Sequence, residues 1–192
     1  MQVILEGIVT TVNSEGQVNI APMGPLVESS MEAFVLRPFQ TSQSFRNLQI
    51  SGHGVLHVVD NVELLARAAI DCWDEPPQLE QHPSVDGQIL VDCCRWYAFT
   101  VRQLDDSSER ATIHCEVIEQ GRKKDFWGFN RARHAVLEAA ILATRVQLLP
   151  AEDILSQMQQ LASPVEKTGG DAEHRAFAML ERYIDASLAP PE

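Results

Sequence analysis

The stretch IVTTVNSEGQVNIAPMG, residues 8–24, has the pattern of two β-strands joined by a tight turn. Residues 2–12 are rich in β-branched side chains, which favour extended backbone. The turn sequence NSEG follows, and residues 17–24 are predicted to form the return strand. Pro22, Gly24 and Pro25 are expected to end this strand, because proline cannot donate to a ladder. The chain therefore begins with a predicted β-hairpin.

More strands and two short helices are predicted before residue 122. The strands lie at residues 31–36, 54–60, 88–104 and 110–121. A helix is predicted at residues 42–52, with Ser42 or Ser44 as its N-cap and Gly52 after its C-terminus. A second helix begins near Asp60, which has capping-box spacing to Glu63. Residues 74–87 contain three prolines and are predicted to form a loop.

The C-terminal third has a helical pattern. Helices are predicted at residues 131–149, 151–162 and 171–188, with Asn130 and Asp171 as N-caps and a loop at 163–170. The wide apolar face of the first helix indicates burial on two sides, and a subunit interface is one way to cover it. The predicted fold class is α+β, with a barrel of about six antiparallel strands in residues 1–124. Residues 125–192 are predicted to form a three-helix subdomain packed on the barrel or at a dimer interface.

Charge and composition exclude several function classes. The net charge of −12 argues against a general nucleic-acid binder and against docking on anionic membranes. No apolar run approaches the length of about 18 residues that spans a bilayer, and the N-terminus lacks the basic region of a signal peptide. Four cysteines without CxxC spacing predict reduced thiols, no metal site and a cytoplasmic protein.

Residues 37–48, RPFQTSQSFRNL, combine the groups that bind phosphate. Arginine supplies a planar fork of donors, while hydroxyls and the free N–H groups of a helix N-terminus supply others. Arg37, Thr41, Ser42 and Ser44 meet this description. Phe39 is positioned to wall a planar or ribose-like group. The alternative interpretation is a solvated loop with an ordinary N-cap.

Three segments carry a family resemblance. Residues 8–24 resemble the first hairpin of FMN-binding split barrels, and the segment from residue 37 to 59 resembles the phosphate-binding element of flavin reductases with this fold. The block that begins FWGFNRARH at residue 126 resembles an uncharacterised, archaeal-type family of FMN-binding split-barrel proteins with a helical C-terminal extension. His57 departs from the pattern, which has an asparagine at that position.

The resemblance implies a Greek-key-like split barrel that binds FMN and pairs as a homodimer, with the flavin at the interface. In this fold the isoalloxazine lies along the end of the second strand, here Ala21, Pro22, Met23 and Gly24. The second copy would add Trp127 or Phe129 for stacking, with Asn130 and Arg131 at a helix N-terminus. Core packing is the alternative for Trp127 and Phe129, and N-capping alone is the alternative for Asn130.

The resemblance also implies a function. A flavin-dependent oxidoreductase would transfer a hydride or electrons through flavin N5 to or from a small-molecule substrate. A reduced nicotinamide or a deazaflavin is the candidate donor, and a pterin of one-carbon metabolism is the candidate substrate. No residue of the sequence presents itself as a general acid or base, which agrees with chemistry performed by a cofactor. The alternatives are an FMN carrier or sensor without turnover, and a dimeric interaction module.

Overall fold

A computed structural model describes residues 2–85 and 87–189 of the chain. The chain folds as two compact units. The first comprises Met1–Asp60 and Pro76–Phe126, and the second comprises Asn61–Glu75 and Trp127–Glu192. Residues 61–75, which the sequence analysis placed in the barrel domain, therefore group with the C-terminal helices.

The first unit contains the strands and one helix. In chain order its elements are β1 (Val3–Ile4), β2 (Gly7–Val12), β3 (Val18–Met23), β4 (Leu26–Val27), β5 (Ala33–Leu36), α1 (Gln43–Ser51), β6 (His53–Val58), β7 (Leu79–Gln81), β8 (Gln88–Leu90), β9 (Arg95–Asp105) and β10 (Thr112–Arg122). Eight strands form one antiparallel sheet in the order β1-β4-β5-β10-β9-β6-β2-β3, and β7 pairs with β8. The curled sheet is a split barrel, which confirms the predicted fold class.

The inner face of the sheet holds the core of this unit. Apolar side chains of β2, β5, β6, β9 and β10 pack there against Phe45 and Leu48 of α1. The first hairpin is confirmed, with Thr11 opposite Asn19. Pro22 does not end β3, because β3 is the last strand in the sheet order and needs no ladder donor on its outer side.

Strands β7 and β8 correct two predictions. The predicted loop at residues 74–87 contains β7, and the predicted strand at 88–104 is broken into β8 and β9. The break lies at Cys93 and Cys94, both buried, where the backbone N–H of Cys94 donates to the Val58 carbonyl. Side-chain bonds hold β8 to the main sheet: Thr10 donates to the Gln88 carbonyl at 2.5 Å, and His57 contacts Leu90.

The second unit is helical. Its helices are α2 (Val62–Ile70), α3 (Arg131–Ala143), α4 (Ala151–Thr168) and α5 (Asp171–Leu188). Helix α3 packs against the other three, which accounts for its wide apolar face without a subunit interface. It ends at Ala143, six residues earlier than predicted, and Thr144 donates its hydroxyl to the Ile141 carbonyl at 2.8 Å there.

The helix ends of this unit differ from the predictions in three places. Asn61 caps α2 in place of Asp60, because the Asn61 side chain accepts from Leu64 N. Gly170 is the N-cap of α5, so Asp171 is its first helical residue. Helix α4 continues through Pro164 to Thr168, where a loop was predicted.

No helix in the described part of the chain is long and apolar enough to cross a membrane. Within residues 2–85 and 87–189, no group of three or more histidine, cysteine and acidic side chains is arranged to hold a metal ion.

Candidate functional site

The N-terminus of α1 has the geometry that the sequence predicts. Ser42 is the N-cap, and its side chain accepts from the N–H of Phe45 at 3.2 Å. The N–H groups of Gln43 and Ser44 have no acceptor within residues 2–85 and 87–189. Thr41, which carries a hydroxyl, is exposed just before the N-terminus of α1. This first turn therefore offers two free N–H donors and one exposed hydroxyl.

Ser44 is 2% exposed and has a different partner from the one predicted. Its hydroxyl accepts from Asn19 Nδ2 at 3.0 Å. One turn further along α1, Asn47 Nδ2 donates to the Thr11 hydroxyl at 3.0 Å. Thr11 and Asn19 are cross-strand neighbours on β2 and β3, so two parallel side-chain bonds fix α1 over the first hairpin. No local sequence pattern marks Asn19, Asn47 or Thr11, because the bonded residues of each pair are separated by 25 positions or more.

Arg110 joins the predicted site although sequence reasoning missed it. Its guanidinium carbon lies 3.9 Å from the centroid of the Phe39 ring, and Nη1 donates to the Arg37 carbonyl at 3.4 Å. Phe39 and Arg110 also form a backbone bridge. The ring of Phe39 therefore packs against a cation of its own chain on one face.

The turn between β9 and β10 is fastened to the loop that carries Phe39. Gln40 Nε2 donates to the carbonyls of Asp106 at 2.6 Å and Ser108 at 2.7 Å. The backbone adds two bonds, from Gln40 N to Glu109 O and from Ala111 N to Pro38 O. This fastening holds Arg110 in place beside the loop.

Cations without carboxylate partners collect at this end of α1. Arg46 is bound to the Thr41 carbonyl at 2.7 Å and to Gln43. In the described part of the chain, the guanidinium of Arg37 has no hydrogen-bond or ion-pair partner, and that of Arg110 bonds only to a carbonyl. The basic turn at residues 122–124 differs, because Arg122, Lys123 and Lys124 all have acidic partners.

The predicted ring-binding residues lie at the end of β3, and all are half-buried. In an antiparallel pair, every second residue of a strand bonds to the partner strand, and the residues between them point their backbone groups the other way. The bond from Asn13 N to Gln17 O at the turn fixes which residues of β3 bond to β2. The backbone groups of Ile20 and the carbonyl of Pro22 therefore point away from β2. Met23 packs against the barrel core.

Gly24 is required by its neighbours inside the protein. A Cβ at this position would lie 2.8 Å from Ile4 Cγ2 and 3.2 Å from Glu6 Oε1. The backbone that follows β1 is close as well, since Leu5 N donates to the Pro25 carbonyl at 3.1 Å. Close packing against residues 4–6 therefore explains the glycine without any ligand.

Trp127, Asn130 and Arg131 belong to the second unit. Trp127 is 76% exposed and Phe129 is 93% exposed, so neither is a core residue. Asn130 caps α3: its Oδ1 accepts from Arg133 N and its Nδ2 donates to Thr168 O, both at 3.0 Å. Both polar atoms of the Asn130 side chain are therefore occupied at the cap. Arg131 is exposed at the start of α3.

Arg133, in the first turn of α3, contacts both Trp127 and the first turn of α5. Its guanidinium carbon is 5.1 Å from the Trp127 ring centroid, and its Nε donates to Glu173 Oε1 at 3.1 Å. Glu173 Oε2 also accepts from Gly170 N at 2.9 Å. Burial opposes ionisation of Glu173, but the bonds from Gly170 and Arg133 prevail and lower its pKa.

His57 is a buried structural group. Burial lowers its pKa to about 4, against a smaller raising effect of the Ile8 carbonyl. The thiols of Cys93 and Cys94 are buried too, and desolvation raises the pKa of each to about 11. Burial also raises the pKa of Cys115. None of these three thiols is a thiolate at neutral pH, which removes them as nucleophiles.

The comparisons with known proteins decide the family. Residues 5–124 match the model described as "Protein of unknown function (DUF447) N-terminal domain", and residues 130–182 match that described as "Protein of unknown function (DUF447)". The chain belongs to the DUF447 family. No curated protein matches the chain.

Solved structures extend this result. A structure described as an FMN-bound DUF447 protein from Methanosarcina mazei has a TM-score of 0.81 and 25% identity, covering 95% of this chain and 96% of its own. The styrene monooxygenase flavin reductase of Pseudomonas putida S12 has a TM-score of 0.53 and 11% identity, covering 62% of this chain and 80% of its own. A flavin reductase domain protein from Arthrobacter sp. FB24 has a TM-score of 0.53 and 20% identity, covering 64% and 79%. The two reductases share the fold of the barrel.

Proposed function

We propose that this DUF447 protein binds FMN in its split barrel, with the phosphate at the N-terminus of α1. The observation that carries the proposal is the pair of guanidiniums without carboxylate partners, Arg37 and Arg110, in a protein of net charge −12. Acidic side chains outnumber basic ones here, so unpaired arginines beside one loop favour an anionic ligand. The FMN-bound relative from Methanosarcina mazei, similar over nearly the whole chain, supports the same ligand.

The phosphate end of the site fits the group. Arg37 and the Thr41 hydroxyl are exposed and free to turn to an anion. The N–H groups of Gln43 and Ser44 add two donors at the positive end of a helix of nine residues. Ser42 and Ser44 contribute mainly by placing the helix, since their hydroxyl oxygens accept from Phe45 N and Asn19.

The ring end of the site lies at β3 in this proposal. Its outward backbone groups, at Ile20 and Pro22, match the hydrogen-bonding edge of an isoalloxazine. Ala21 leaves room beside the strand, while Met23 and Gly24 are fixed by packing. Bound FMN would supply hydride or electron transfer through N5, and the chain's own residues bind and orient it. The activity that follows is that of a flavin-dependent oxidoreductase.

A homodimer is part of the proposal. Three aromatic side chains within four residues, Phe126, Trp127 and Phe129, are at least half exposed. Exposed aromatic side chains at neighbouring chain positions favour a partner, and a second copy would bring Trp127, Phe129 and Arg131 to the flavin. Light scattering should give twice the mass of 21.4 kDa, and Trp127→Ala with Phe129→Ala should reduce it to that of the monomer.

The first experiment is an absorption spectrum of the purified protein, with mass analysis of any ligand released on heating. Flavin bands and released FMN, or saturable binding of added FMN, would support the proposal. A colourless protein that fails to bind added FMN would contradict it and favour an interaction module. If FMN binds, an assay of turnover with reduced nicotinamide would distinguish an oxidoreductase from a carrier or sensor.

A further inference from the structure

We propose that Arg110 makes this site selective for a phosphomonoester, so that the protein binds FMN in preference to riboflavin. This inference rests on the proposed function and extends it to a residue that neither the sequence motifs nor the family resemblance contains. Arg110 is 73 positions from Arg37, yet its Nη1 reaches the carbonyl of that residue.

The first step of the argument is that Arg110 is held in a defined place. The β9–β10 turn is bound to residues 38–40 by the Gln40 amide and by two backbone bonds. The backbone of Arg110 bridges Phe39, and its guanidinium stacks on the Phe39 ring at 3.9 Å. A guanidinium fixed by stacking loses less side-chain entropy when it binds an anion than a free one does.

The second step concerns its unused donors. A guanidinium has five N–H groups, and in the described part of the chain Arg110 uses one of them, in a bond of 3.4 Å to an uncharged carbonyl. Two other arginines of this unit differ: Arg102 pairs with Glu116 and Arg122 with Asp125. A stacked guanidinium with free edges is arranged to receive a planar set of oxygens.

The third step is the local charge. The turn also carries Asp105, Asp106 and Glu109, which lower the positive potential around Arg110. None of them forms an ion pair with Arg110 within residues 2–85 and 87–189. The Asp105 carboxylate instead accepts from Ser107 N at 2.9 Å, which lowers its pKa. The guanidinium thus stays available to an external anion despite its acidic neighbours.

The expected selectivity follows from the charge of the ligands. FMN carries a phosphomonoester with two acidic oxygens, whereas riboflavin presents a neutral hydroxyl at the same place. A charge-assisted bond from Arg110 therefore strengthens FMN binding and leaves riboflavin binding unchanged. Losing one such bond weakens affinity by about 10- to 100-fold.

The test compares Arg110→Gln with Arg95→Gln, using FMN and riboflavin titrations followed by flavin fluorescence. Arg95 is an exposed arginine at the far end of β9, so its variant controls for the change in net charge. Arg110→Gln should weaken FMN binding about 10- to 100-fold and leave riboflavin binding within about twofold, whereas Arg95→Gln should change neither. An equal loss for both flavins, or no loss for either, would overturn the inference.

A second measurement separates this inference from the proposed function. Titration of inorganic phosphate into the ¹⁵N-labelled protein should shift the amides of Thr41 to Ser44, and Arg110→Gln should weaken that response. If wild-type protein bound neither flavin but gave this phosphate response, the FMN proposal would fail and the phosphate role of Arg110 would stand. If the wild-type protein bound FMN while Arg110→Gln left the phosphate response unchanged, the FMN proposal would stand and the phosphate role of Arg110 would fail.

Discussion

The backbone N–H of Leu90 donates to His57 Nε2 at 3.1 Å, which fixes the protonation of a fully buried imidazole. Because Nε2 accepts, the single proton of the neutral ring is on Nδ1, which lies 3.1 Å from the Ile8 carbonyl oxygen. The ring therefore joins β2, β6 and β8. These two bonds give His57 a structural role that requires no contact with a ligand.

Acidification should destabilise the protein through His57. The folded-state pKa of about 4 lies below the ordinary value of 6.5. Between these pH values the unfolded chain binds a proton that the folded chain does not, so stability falls as the pH is lowered from 6.5 to 4. The loss from this one group is about 3 kcal/mol, measured as the free energy of unfolding in urea at several pH values.

The variant His57→Gln isolates this effect from the carboxylates that also titrate in acid. Its free energy of unfolding should be lower than that of the wild type at pH 7 and should decline less between pH 6.5 and 4. His114→Gln, an exposed histidine of β10, is the matched control and should follow the wild-type curve. Parallel pH curves for wild type and His57→Gln would show that His57 is not the titrating group.

Removing the Asn47 side chain should loosen α1 from the barrel. Asn47→Ala deletes the donor to Thr11 and the acceptor of Gln43, and it leaves a buried hydroxyl without its partner. The expected cost is about 1–3 kcal/mol of unfolding free energy, measured by urea denaturation. Gln49→Ala, at an exposed position of the same helix, should cost less than about 0.5 kcal/mol; equal costs would contradict the role of the Asn47–Thr11 bond.

Local signals in the sequence predicted the parts of the site that are local in the chain. The hydroxyl of Ser42 caps a helix that starts at the next residue, and Gly52 ends it with a φ of 67°, so both follow from spacing alone. Asn130 likewise caps α3 as predicted. The first hairpin follows from its turn residues and β-branched strands.

The missed features depend on contacts between distant residues. Arg110 reaches Phe39 across 71 positions, and no local pattern marks an arginine that will stack on a particular ring. Thr168 shows the same effect in the second unit: its hydroxyl accepts from Ala132 N and its carbonyl from Asn130 Nδ2. These tertiary bonds keep α4 helical beyond a proline that would otherwise predict its end.

Flavin affinity should depend on Arg37 and Thr41. The double variant Arg37→Ala with Thr41→Ala removes one charged and one hydroxyl donor at the exposed end of α1. FMN binding should weaken by about 2–4 kcal/mol, measured by fluorescence titration, with little change in thermal stability because neither side chain is buried. Gln49→Ala serves again as the control on the same helix, and unchanged FMN affinity in the double variant would place the phosphate elsewhere.

Replacing Pro164 in the interior of α4 should stabilise the second unit. Pro164 has no N–H to donate to the carbonyl of Gln160, and a proline inside a helix costs about 3 kcal/mol relative to alanine. Pro164→Ala restores the donor and keeps the carbonyl that accepts from the Thr168 hydroxyl at 2.8 Å. Greater freedom of the unfolded chain offsets about 1 kcal/mol of this gain. The net increase in unfolding free energy is therefore expected at about 1–2 kcal/mol.

The matched control is Pro150→Ala, at the N-cap of the same helix. Pro150 has a φ of −59°, which suits proline, and its position needs no N–H donor inside the helix. Its replacement should therefore destabilise the protein slightly, by about 0.4–1 kcal/mol, through the unfolded state alone. Opposite signs for the two variants in urea denaturation would confirm that the interior position carries the cost. A loss of stability in Pro164→Ala would mean that the ring of Pro164, half-buried beside Val165, contributes more by packing than the missing hydrogen bond costs.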